Sequence, residues 1–346
     1  MITKYRSFNH YFLNGIYILL MSLIALAGCA SPAPIHTPAT TTPPSVTPPS
    51  GTEQRSVPHI EKWGIYALDL TTEKIVLLYS SSSEISHLSL SKSGHRFAFY
   101  QKINGDKNEQ EEICVVNIDG SNFQRLTNNS FRDLCPVWSA NDAEIAFLSW
   151  RDKDLDIYLA SSSGTDVRKL YDSGYHDADI NWEGNRIVFT ANSRIWSMRD
   201  DGTQVTQITD PPHAGQWGKA NLPFGDYDPR LSPDGSRIVF ERLEDDSSPH
   251  GNYNIYVINS DGSGETPLTA TGYSQGLANW SHSGDKIVYL VAAIGSDGKY
   301  DIYMMNSDGT NVRNITPDYF PAAFLCHTPV FSIDDSKIFF VGQWWD

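Results

Sequence analysis

A unit of roughly 40 to 50 residues, the period of a β-propeller blade, recurs along the chain and constrains its fold more than any other feature. The clearest copy reads DPRLSPDG at 228–235, RIVF at 237–240 and NIYVIN at 254–259. Short β-branched and apolar runs joined by Asp-Gly or Ser-x-x-Gly turns predict strands and hairpins. The first half of the unit occurs six times, at 91–99, 139–147, 182–189, 232–240, 281–289 and 332–340.

The second half of the unit predicts two further strands, so each complete copy is expected to form four antiparallel strands. The last copy, 327–342, contains only its first two strands, and the chain opens with the missing pair at 64–69 and 74–79. Pairing of the two ends would complete a sixth blade and leave no exposed sheet edge. We therefore predict an all-β, six-bladed β-propeller of four-stranded antiparallel blades, in which N- and C-terminal strands share one blade.

These repeats resemble those of TolB-type propellers, whose unit is similar to Pro-x-Trp-Ser-Pro-Asp-Gly-x-x-Ile-x-Phe followed by Asp-Ile-Tyr-x-Met-Asn-x-Asp-Gly. Matches stand at 136–139 (PVWS), 232–235 (SPDG) and 301–309 (DIYMMNSDG). The resemblance covers about 63–346 and implies an exported propeller that binds other proteins, as TolB relatives bind a peptidoglycan-associated lipoprotein. A Pro-rich segment stands where TolB has a separate α/β domain, so the resemblance is to the propeller and not to TolB as a whole.

The first residues have the composition of an export signal. A basic start is followed by an apolar run over 11–27, which ends in LAGC at 26–29. Such a pattern is typical of a secretory signal peptide. LAGC also resembles the bacterial lipobox, which implies a signal peptide over 1–28 and acylation of Cys29, with palmitate among the expected lipids. The alternative is an uncleaved membrane anchor, because the apolar run is almost long enough to span a bilayer.

Eight prolines lie within residues 30–58. A segment of this composition cannot bury a core and favours an extended backbone. We therefore expect 29–58 to link the lipidated cysteine to a propeller at 59–346. The protein would be exported and lipid-anchored to the cell membrane or the outer membrane, facing the periplasm or the exterior.

The charge of the chain excludes some classes of partner. The net charge is −15, and it becomes −17 once Lys4 and Arg6 leave with the signal. An acidic domain with no basic block argues against nucleic acid and against docking on anionic lipid. We expect a monomer, and no cofactor is predicted.

Three features of the predicted blades have structural interpretations. The Asp-Gly pairs at 119–120, 201–202, 261–262 and 308–309 are interpreted as hairpin turns, because single acidic turns lack the converging ligands of a calcium loop. Aromatic residues at one position of the innermost strands are expected in the core between blades; they are Trp138, Trp182, Trp280 and Phe331. The cysteines that follow Cys29 allow at most one internal disulfide, whose pairing the sequence does not identify; they are Cys114, Cys135 and Cys326.

Acidic residues and histidines gather near the start of the innermost strands. The position four residues before the serine that ends each strand holds His87, Cys135, Asp179, Asp228, Leu277 and Thr328, with Glu183 replacing the serine in the third copy. Asp133, Asp177 and Asp226 stand two residues further back, close to His176 and His327. Because alternate residues of a strand share a face, we expect an acidic, histidine-bearing funnel at one mouth of the channel. Its candidates are His87, Asp133, His176, Asp177, Asp179, Asp226, Asp228 and His327. The alternative is that these side chains cap turns and bond to neighbouring blades.

A long loop over 211–227 offers a second candidate contact surface. Trp217 and Phe224 lie within it, and exposed aromatic residues on an insertion are typical of a binding site. The alternative is that both side chains pack back onto their own blade.

These features favour a non-catalytic protein-binding scaffold. A funnel of negative potential would favour a protein or a basic peptide as the partner. The alternative is a propeller enzyme that acts on polysaccharide, because the resemblance extends to an oligogalacturonate lyase that uses channel histidines and a metal. That alternative requires His87, His176 and His327 to converge on one metal ion, with a basic group beside them.

Overall fold

The computed structural model describes residues 63–103, 110–220, 222–245, 251–271, 273–292, 300–317, 319 and 324–344. The expected signal peptide, Cys29 and the expected linker lie outside these ranges. The described residues form 24 strands in six four-stranded antiparallel sheets, which confirms the six-bladed propeller. Within the same ranges, no helix has the length and apolar character needed to cross a membrane.

Each blade is one sheet. In blades 1 to 5 the strands run outward from the channel in chain order, and in blade 6 the two C-terminal strands lie inside the two N-terminal strands. Blade 1 consists of β3 (Ile85–Leu90), β4 (Arg96–Lys102), β5 (Glu111–Asn117) and β6 (Gln124–Arg125); blade 2 of β7 (Asp133–Trp138), β8 (Glu144–Ser149), β9 (Asp156–Ser161) and β10 (Arg168–Tyr171). Blade 3 consists of β11 (Asp177–Glu183), β12 (Arg186–Ala191), β13 (Arg194–Arg199) and β14 (Thr206–Gln207); blade 4 of β15 (Gly225–Leu231), β16 (Arg237–Asp245), β17 (Asn252–Asn259) and β18 (Thr266–Pro267). Blade 5 consists of β19 (Ser274–Trp280), β20 (Lys286–Ala292), β21 (Tyr300–Asn306) and β22 (Arg313–Asn314). Blade 6 consists of β23 (Phe324–Phe331), β24 (Lys337–Trp344), β1 (Trp63–Asp69) and β2 (Ile75–Ser81).

Blade 6 closes the ring by joining the two ends of the described chain. Strand β1 pairs with β24 along its whole length, from Trp63 opposite Gln343 to Asp69 opposite Lys337. The rings of Tyr66 and Phe340 stack across this seam at 5.7 Å, and both side chains are fully buried. Burial of a large apolar side chain stabilises a fold by about 1.5–3 kcal/mol, so the seam is held by packing as well as by backbone hydrogen bonds.

A threonine fixes the short outer strand in four of the blades. Its hydroxyl oxygen accepts a hydrogen bond from the backbone N–H of an isoleucine in the third strand, 14 residues earlier, at 2.7 to 3.0 Å. The pairs are Thr127 with Ile113, Thr209 with Ile195, Thr269 with Ile255, and Thr316 with Ile302. The outer strands of these four blades contain only two residues each, so this bond secures an edge that backbone pairing alone holds weakly.

The Asp-Gly pairs are hairpin turns, as the sequence predicts. In each turn the aspartate carboxylate accepts hydrogen bonds from the backbone N–H and the hydroxyl of the Ser or Thr two residues later. Gly120 has a φ of 81°, and a Cβ at this position would lie 1.8 Å from the carbonyl oxygen of Leu78. The turn therefore requires glycine both for its backbone conformation and for the close approach of blade 6.

The predicted core aromatic residues are buried in the described structure, with exposures of 1% for Trp138, 4% for Trp182, 7% for Trp280 and 2% for Phe331. The three described cysteines are also buried, and no disulfide joins any two of them. Burial raises the pKa of the Cys114 thiol to about 12, and that of Cys135 well above its ordinary value. These thiols are therefore part of the core and are poor nucleophiles.

Candidate functional site

The innermost strand of every blade contains a β-bulge at the same position. The pairing register shifts there in all six blades, and the bulged residue adopts a positive φ although it is never glycine. These residues are His87 (60°), Cys135 (54°), Asp179 (53°), Asp228 (50°), Leu277 (54°) and Thr328 (45°). Such a conformation costs roughly 1–2 kcal/mol for a residue with a side chain, so its sixfold repetition marks a feature that the fold imposes.

Side chains at and beside the bulges connect neighbouring blades around the channel. The backbone N–H of Leu88 donates to Thr328 Oγ1 at 3.2 Å, from blade 1 to blade 6. The N–H of Asp228 donates to Asp179 Oδ2 at 3.3 Å, from blade 4 to blade 3. A strand edge that faces the axis has no further strand to pair with, and these bonds satisfy part of it.

The bulges also separate the two sets of carboxylates that the sequence places in one funnel. A bulge breaks the alternation of faces along a strand, and Asp177 and Asp226 consequently have different surroundings from Asp179 and Asp228. The expectation that the members of each pair share a face is therefore wrong. Only Asp228 has a partly exposed carboxylate; those of Asp133, Asp177, Asp179 and Asp226 are buried.

We define the loop end of the propeller as the end where loops such as 127–132 and 172–176 lead into the innermost strands. At this end, the carboxylates of Asp133 and Asp226 form hydrogen bonds with other side chains. Asp133 accepts hydrogen bonds from Ser149 Oγ at 2.5 Å and from Asn129 Nδ2 at 2.7 Å. Asp226 accepts hydrogen bonds from Nε and Nη2 of Arg242, at 2.6 and 3.0 Å. These partners belong to the same blade or to the loop that leads into it, so both carboxylates are bonded within the protein, although not to neighbouring blades as the alternative states.

A group of buried carboxyls surrounds one cation beside the channel. Asp179, Asp228 and Glu241 lie near Arg230, whose Nη2 is 3.4 Å from Asp228 Oδ1. Burial, reinforced by the charge of Asp228 and opposed by Arg230, raises the pKa of Asp179 to about 7. Burial also raises the pKa of Asp228 and, well above its ordinary value, that of Glu241. The group therefore retains protons near neutral pH and carries less negative charge than the sequence suggests.

Glu241 is a member of this group that the sequence reasoning missed. Its Oε2 accepts the backbone N–H of Leu277 at 3.1 Å, which links blade 4 to the bulge of blade 5. A Cβ on residue 276 would lie 1.9 Å from the same oxygen, so Gly276 makes room for the carboxyl. Glu241 lies on the second strand of its blade, and the motif around the innermost strand gives no signal for it.

The three candidate histidines lie in separate surroundings. His87 occupies the bulge of blade 1, where burial and the nearby Arg230 hold its pKa well below the ordinary value. His176 Nδ1 accepts the N–H of Leu155 at 3.1 Å in the connection between blades 2 and 3. His327 packs between the rings of Trp63 and Tyr300, and burial lowers its pKa to about 4. Of the residues that the structure describes, no group with the spacing of a metal site contains a histidine.

A cavity of 170 Å³ lies on the propeller axis. It opens at the turn end, which we define as the end formed by the tight turns between the first and second strands, such as 91–95 and 281–285. Each blade contributes to its wall the residue that precedes the repeat position of Ser91, which is Glu183 in blade 3. These residues are Leu90, Trp138, Trp182, Leu231, Trp280 and Phe331. His87, Arg230, Leu277 and Thr328 also line it, from the level of the bulges. The open cavity is therefore at the end opposite to the predicted funnel, and polar and apolar groups contribute equally to its wall.

The rim of the cavity carries Lys92, Glu183 and His282. The ammonium of Lys92 forms an ion pair with Glu183, which joins the rim of blade 1 to that of blade 3. In the other five blades the serine hydroxyl at the position of Glu183 accepts a backbone N–H of its own turn. In blade 3 residue 183 instead pairs directly with Arg186 across a shorter turn, which leaves the carboxylate available to Lys92. Loss of the serine in the third repeat is the sequence signal for this contact.

The two candidate aromatic residues of the loop over 211–227 differ in exposure. Trp217 is 54% exposed. Phe224 is partly buried against a small cluster that includes Leu222, Tyr227 and Tyr253, and its ring lies 6.2 Å from that of His213. The loop thus presents Trp217 at the surface, whereas Phe224 packs onto blade 4.

Comparison with known proteins identifies similar propellers. No family model matches the chain. It is 26% identical to the uncharacterized protein Atu1656 of Agrobacterium fabrum, over 64% of this chain and 74% of that protein. It is 30% identical to the Tol-Pal system protein TolB of Desulfosudis oleivorans, over 33% of this chain and 26% of that protein. Among solved structures, a TolB-like protein of Agrobacterium tumefaciens superposes with a TM-score of 0.63 and 18% identity, over 82% of this chain and 99% of that one. TolB of Acinetobacter baumannii gives a TM-score of 0.54 and 19% identity, over 72% and 64%.

Proposed function

We propose that this chain, a TolB-like six-bladed β-propeller, is an exported, membrane-anchored scaffold that binds another protein without catalysis, and that its axial cavity receives a side chain of that partner. TolB propellers bind proteins, which supports the class of function. The observation that carries the proposal is the cavity itself, because all six blades contribute the same position to its wall.

The size of the cavity favours an anchor side chain over a small-molecule substrate. Pockets for small molecules and cofactors usually measure about 300–1,000 Å³, and this cavity measures 170 Å³. Protein interfaces often concentrate their binding energy in one or a few side chains that fill such a pocket and exclude water. Apolar side chains of all six blades contribute to the wall that a side chain of this kind would contact.

The chemistry of the cavity revises the expected partner. The sequence predicts a basic peptide as the partner because it predicts carboxylates in an open funnel, but four of these five aspartates are buried. The polar groups that do line it are Arg230, a largely uncharged His87 and the Lys92–Glu183 ion pair. We therefore propose an apolar or aromatic anchor side chain, with polar neighbours that bond to the rim. The strongly negative net charge still favours a partner with a basic surface through long-range attraction.

The position of the N-terminal strand fits a tether on the face opposite the cavity. Trp63 pairs with Gln343, which pairs with the start of β23 at the loop end. The preceding residues, with the proposed signal over 1–28 and lipidation at Cys29, therefore join the propeller at the loop end. A lipid anchor there would leave the turn end, with the cavity, facing away from the membrane.

Filling the cavity tests the proposal. Ser89 lines the cavity, and Ser89→Phe would occupy the space that an anchor side chain needs. Val312→Phe is the matched control, since Val312 is 51% exposed on the outer side of blade 5. We expect Ser89→Phe to lose the partners recovered from envelope extracts by the wild type, while the control retains them and both variants unfold at the wild-type temperature. Equal recovery by all three proteins would contradict binding through the cavity.

The polysaccharide enzyme remains an alternative without a supporting observation among the described residues. It requires His87, His176 and His327 to share one metal ion, and each of them lies in a different surrounding. Lyase activity on oligogalacturonate by the purified protein would support that alternative against the scaffold.

A further inference from the structure

Exposed aromatic side chains gather at the loop end of the propeller. Among the residues that the structure describes, five aromatic side chains are exposed, and four of them stand in loops that lead into an innermost strand. These four, which we call the aromatic arc, are Phe131, Tyr175, Trp217 and Tyr273. They occupy the four consecutive junctions from blades 1 and 2 to blades 4 and 5. Single exposed aromatic residues are ordinary, but their concentration at one end indicates a contact surface.

Local hydrogen bonds hold the aromatic arc in place. The backbone N–H groups of Phe131, Tyr175 and Tyr273 each donate to a side-chain oxygen of the residue two positions earlier, at 2.7 to 3.2 Å. Trp217 follows Gln216, whose carbonyl accepts the N–H of Phe224 at 2.9 Å across the loop. Because the backbone around the rings is already ordered, less conformational entropy is lost when they enter a partner.

Charge is distributed unequally between the two ends of the propeller. Seven exposed aspartates stand in the turns between the first and second or the third and fourth strands, all at the turn end. Hydrogen bonds from hydroxyl groups of the same turns lower the pKa of each carboxyl, so all seven are ionised at neutral pH. They are Asp119, Asp201, Asp234, Asp261, Asp285, Asp308 and Asp334. At the loop end, Arg132 pairs with Glu111 and Arg194 with Asp210, so these charges compensate each other.

The chain enters the propeller at the end that carries the aromatic arc. Strand β1 begins with Trp63 at the loop end, and the residues before it include the expected linker and Cys29. A tether attached there keeps the loop end close to the membrane and raises the effective concentration of lipid around it. Even a weak affinity of the aromatic arc for lipid would then hold the loop end on the membrane.

We propose that the loop end rests on the membrane that anchors the chain, with the aromatic arc inserted at the level of the lipid headgroups. Tyr and Trp favour this interface because their rings are apolar and carry a polar group. The contact depends on burial of the rings and not on anionic headgroups, which the net charge of the chain disfavours. The proposal rests on the membrane anchor of the proposed function, and it presents the axial cavity to partners on the far side.

A fluorescent dye on protein tethered to vesicles tests this contact. The chain lacking its first 29 residues, which retains every described residue, would carry a hexahistidine tag before Ala30 and bind phosphatidylcholine vesicles that contain nickel-chelating lipid. This tether replaces the lipid at Cys29, so the result depends neither on acylation nor on a protein partner. The dye, sensitive to polarity, would be attached through Tyr175→Cys or, as the matched control, through Val312→Cys. Both positions are similarly exposed, and the described native cysteines are buried.

The two dye positions should respond differently to the vesicles. We expect the emission of the dye at position 175 to shift to shorter wavelength and to be quenched by lipids with brominated chains, at low and high salt alike, because the contact is apolar. The dye at position 312 should keep its emission in solution. Unchanged emission at position 175 on the vesicles would overturn the proposal. A response to peptidoglycan and not to vesicles would overturn it too, and would assign the aromatic arc to a polysaccharide.

Removal of two rings tests whether the aromatic arc supplies the affinity. In co-sedimentation of untagged protein with phosphatidylcholine vesicles, the double variant Trp217→Gln, Tyr273→Gln should bind about tenfold more weakly or less, because two exposed rings no longer leave water. The double variant Val76→Gln, Val312→Gln removes two other exposed apolar side chains and should bind as the wild type does. Equal weakening in both double variants would contradict docking through the loop end.

Discussion

The raised pKa of Asp179, in the buried group beside the channel, can be tested through the pH dependence of the free energy of unfolding. Its pKa rises to about 7 in the folded protein, whereas an aspartate in an unfolded chain titrates near 4. The folded state therefore binds this proton more tightly than the unfolded state does. The resulting stability is fully present below about pH 4 and is lost as the pH rises towards 7.

The loss of stability can be calculated from the difference between the pKa values of Asp179 in the folded and unfolded states. Each unit of pKa difference corresponds to 1.36 kcal/mol, and most of a shift of about three units is expressed between pH 5 and pH 8. The wild type should therefore lose about 2–3 kcal/mol relative to Asp179→Asn across this interval. Asparagine can still accept the N–H of Asp228, and it tolerates the positive φ of position 179. Groups far from Asp179 titrate in both proteins, and because the charge of Asp179 also raises the pKa of Glu241, the difference reports on Asp179 together with its buried neighbours.

Urea unfolding of both proteins at pH 5, 6, 7 and 8 measures this difference. Asp166→Asn is the matched control, because Asp166 is exposed on a turn and has a similar φ of 57°. The control should follow the pH dependence of the wild type. A free-energy difference between wild type and Asp179→Asn that stays constant with pH would show that the buried carboxyls around Arg230 do not hold protons near neutral pH, and the account of this group would then be wrong.

Three further predictions concern the framework that holds the site. Arg242→Met should lower the free energy of unfolding by about 3–5 kcal/mol, because it leaves the buried Asp226 without its partner, and adding Asp226→Asn should recover part of the loss in urea melts. Gly120→Ala should destabilise the protein by more than Gly235→Ala, which has no atom within 4 Å of the new Cβ and should cost only about 1 kcal/mol for its positive φ. In the chain lacking its first 29 residues, a thiol reagent should label no cysteine under native conditions and three after unfolding. Labelling of the native protein would contradict the burial of these thiols, and labelling of fewer than three after unfolding would indicate a disulfide.

The sequence predicts the architecture well because its signals are local and repeated. Each blade depends on turns and alternation within about 45 residues, so the six copies report the same strands independently. The two unmatched strand pairs at the ends then predict the shared blade, which the pairing of β1 with β24 confirms. The threonines at 127, 209, 269 and 316 illustrate how a repeated residue type reflects a repeated hydrogen bond.

The candidate site was less predictable because it depends on backbone geometry and burial. The alternation rule places Asp226 and Asp228 on one face, but the bulge at Asp228 separates them, and none of the six bulged positions is a glycine that would mark a positive φ. The sequence gives the charge of Asp133 and Asp226 and not their exposure, which depends on partners such as Arg242 from another strand. Arg230 and Glu241 lie on the first and second strands of blade 4, and their burial beside each other has no signal in the sequence pattern.

Site-specific cross-linking tests the central claim, that a partner protein docks at the turn end over the axial cavity. A light-activated side chain would replace Lys92 at the rim of the cavity, Trp217 on the exposed loop, or Val312 on the outer side of blade 5. The account predicts that, in intact envelopes, the side chain at position 92 forms a defined protein adduct that the additional Ser89→Phe change abolishes. An adduct that forms only from position 217 or 312, or one at position 92 that survives Ser89→Phe, would contradict it.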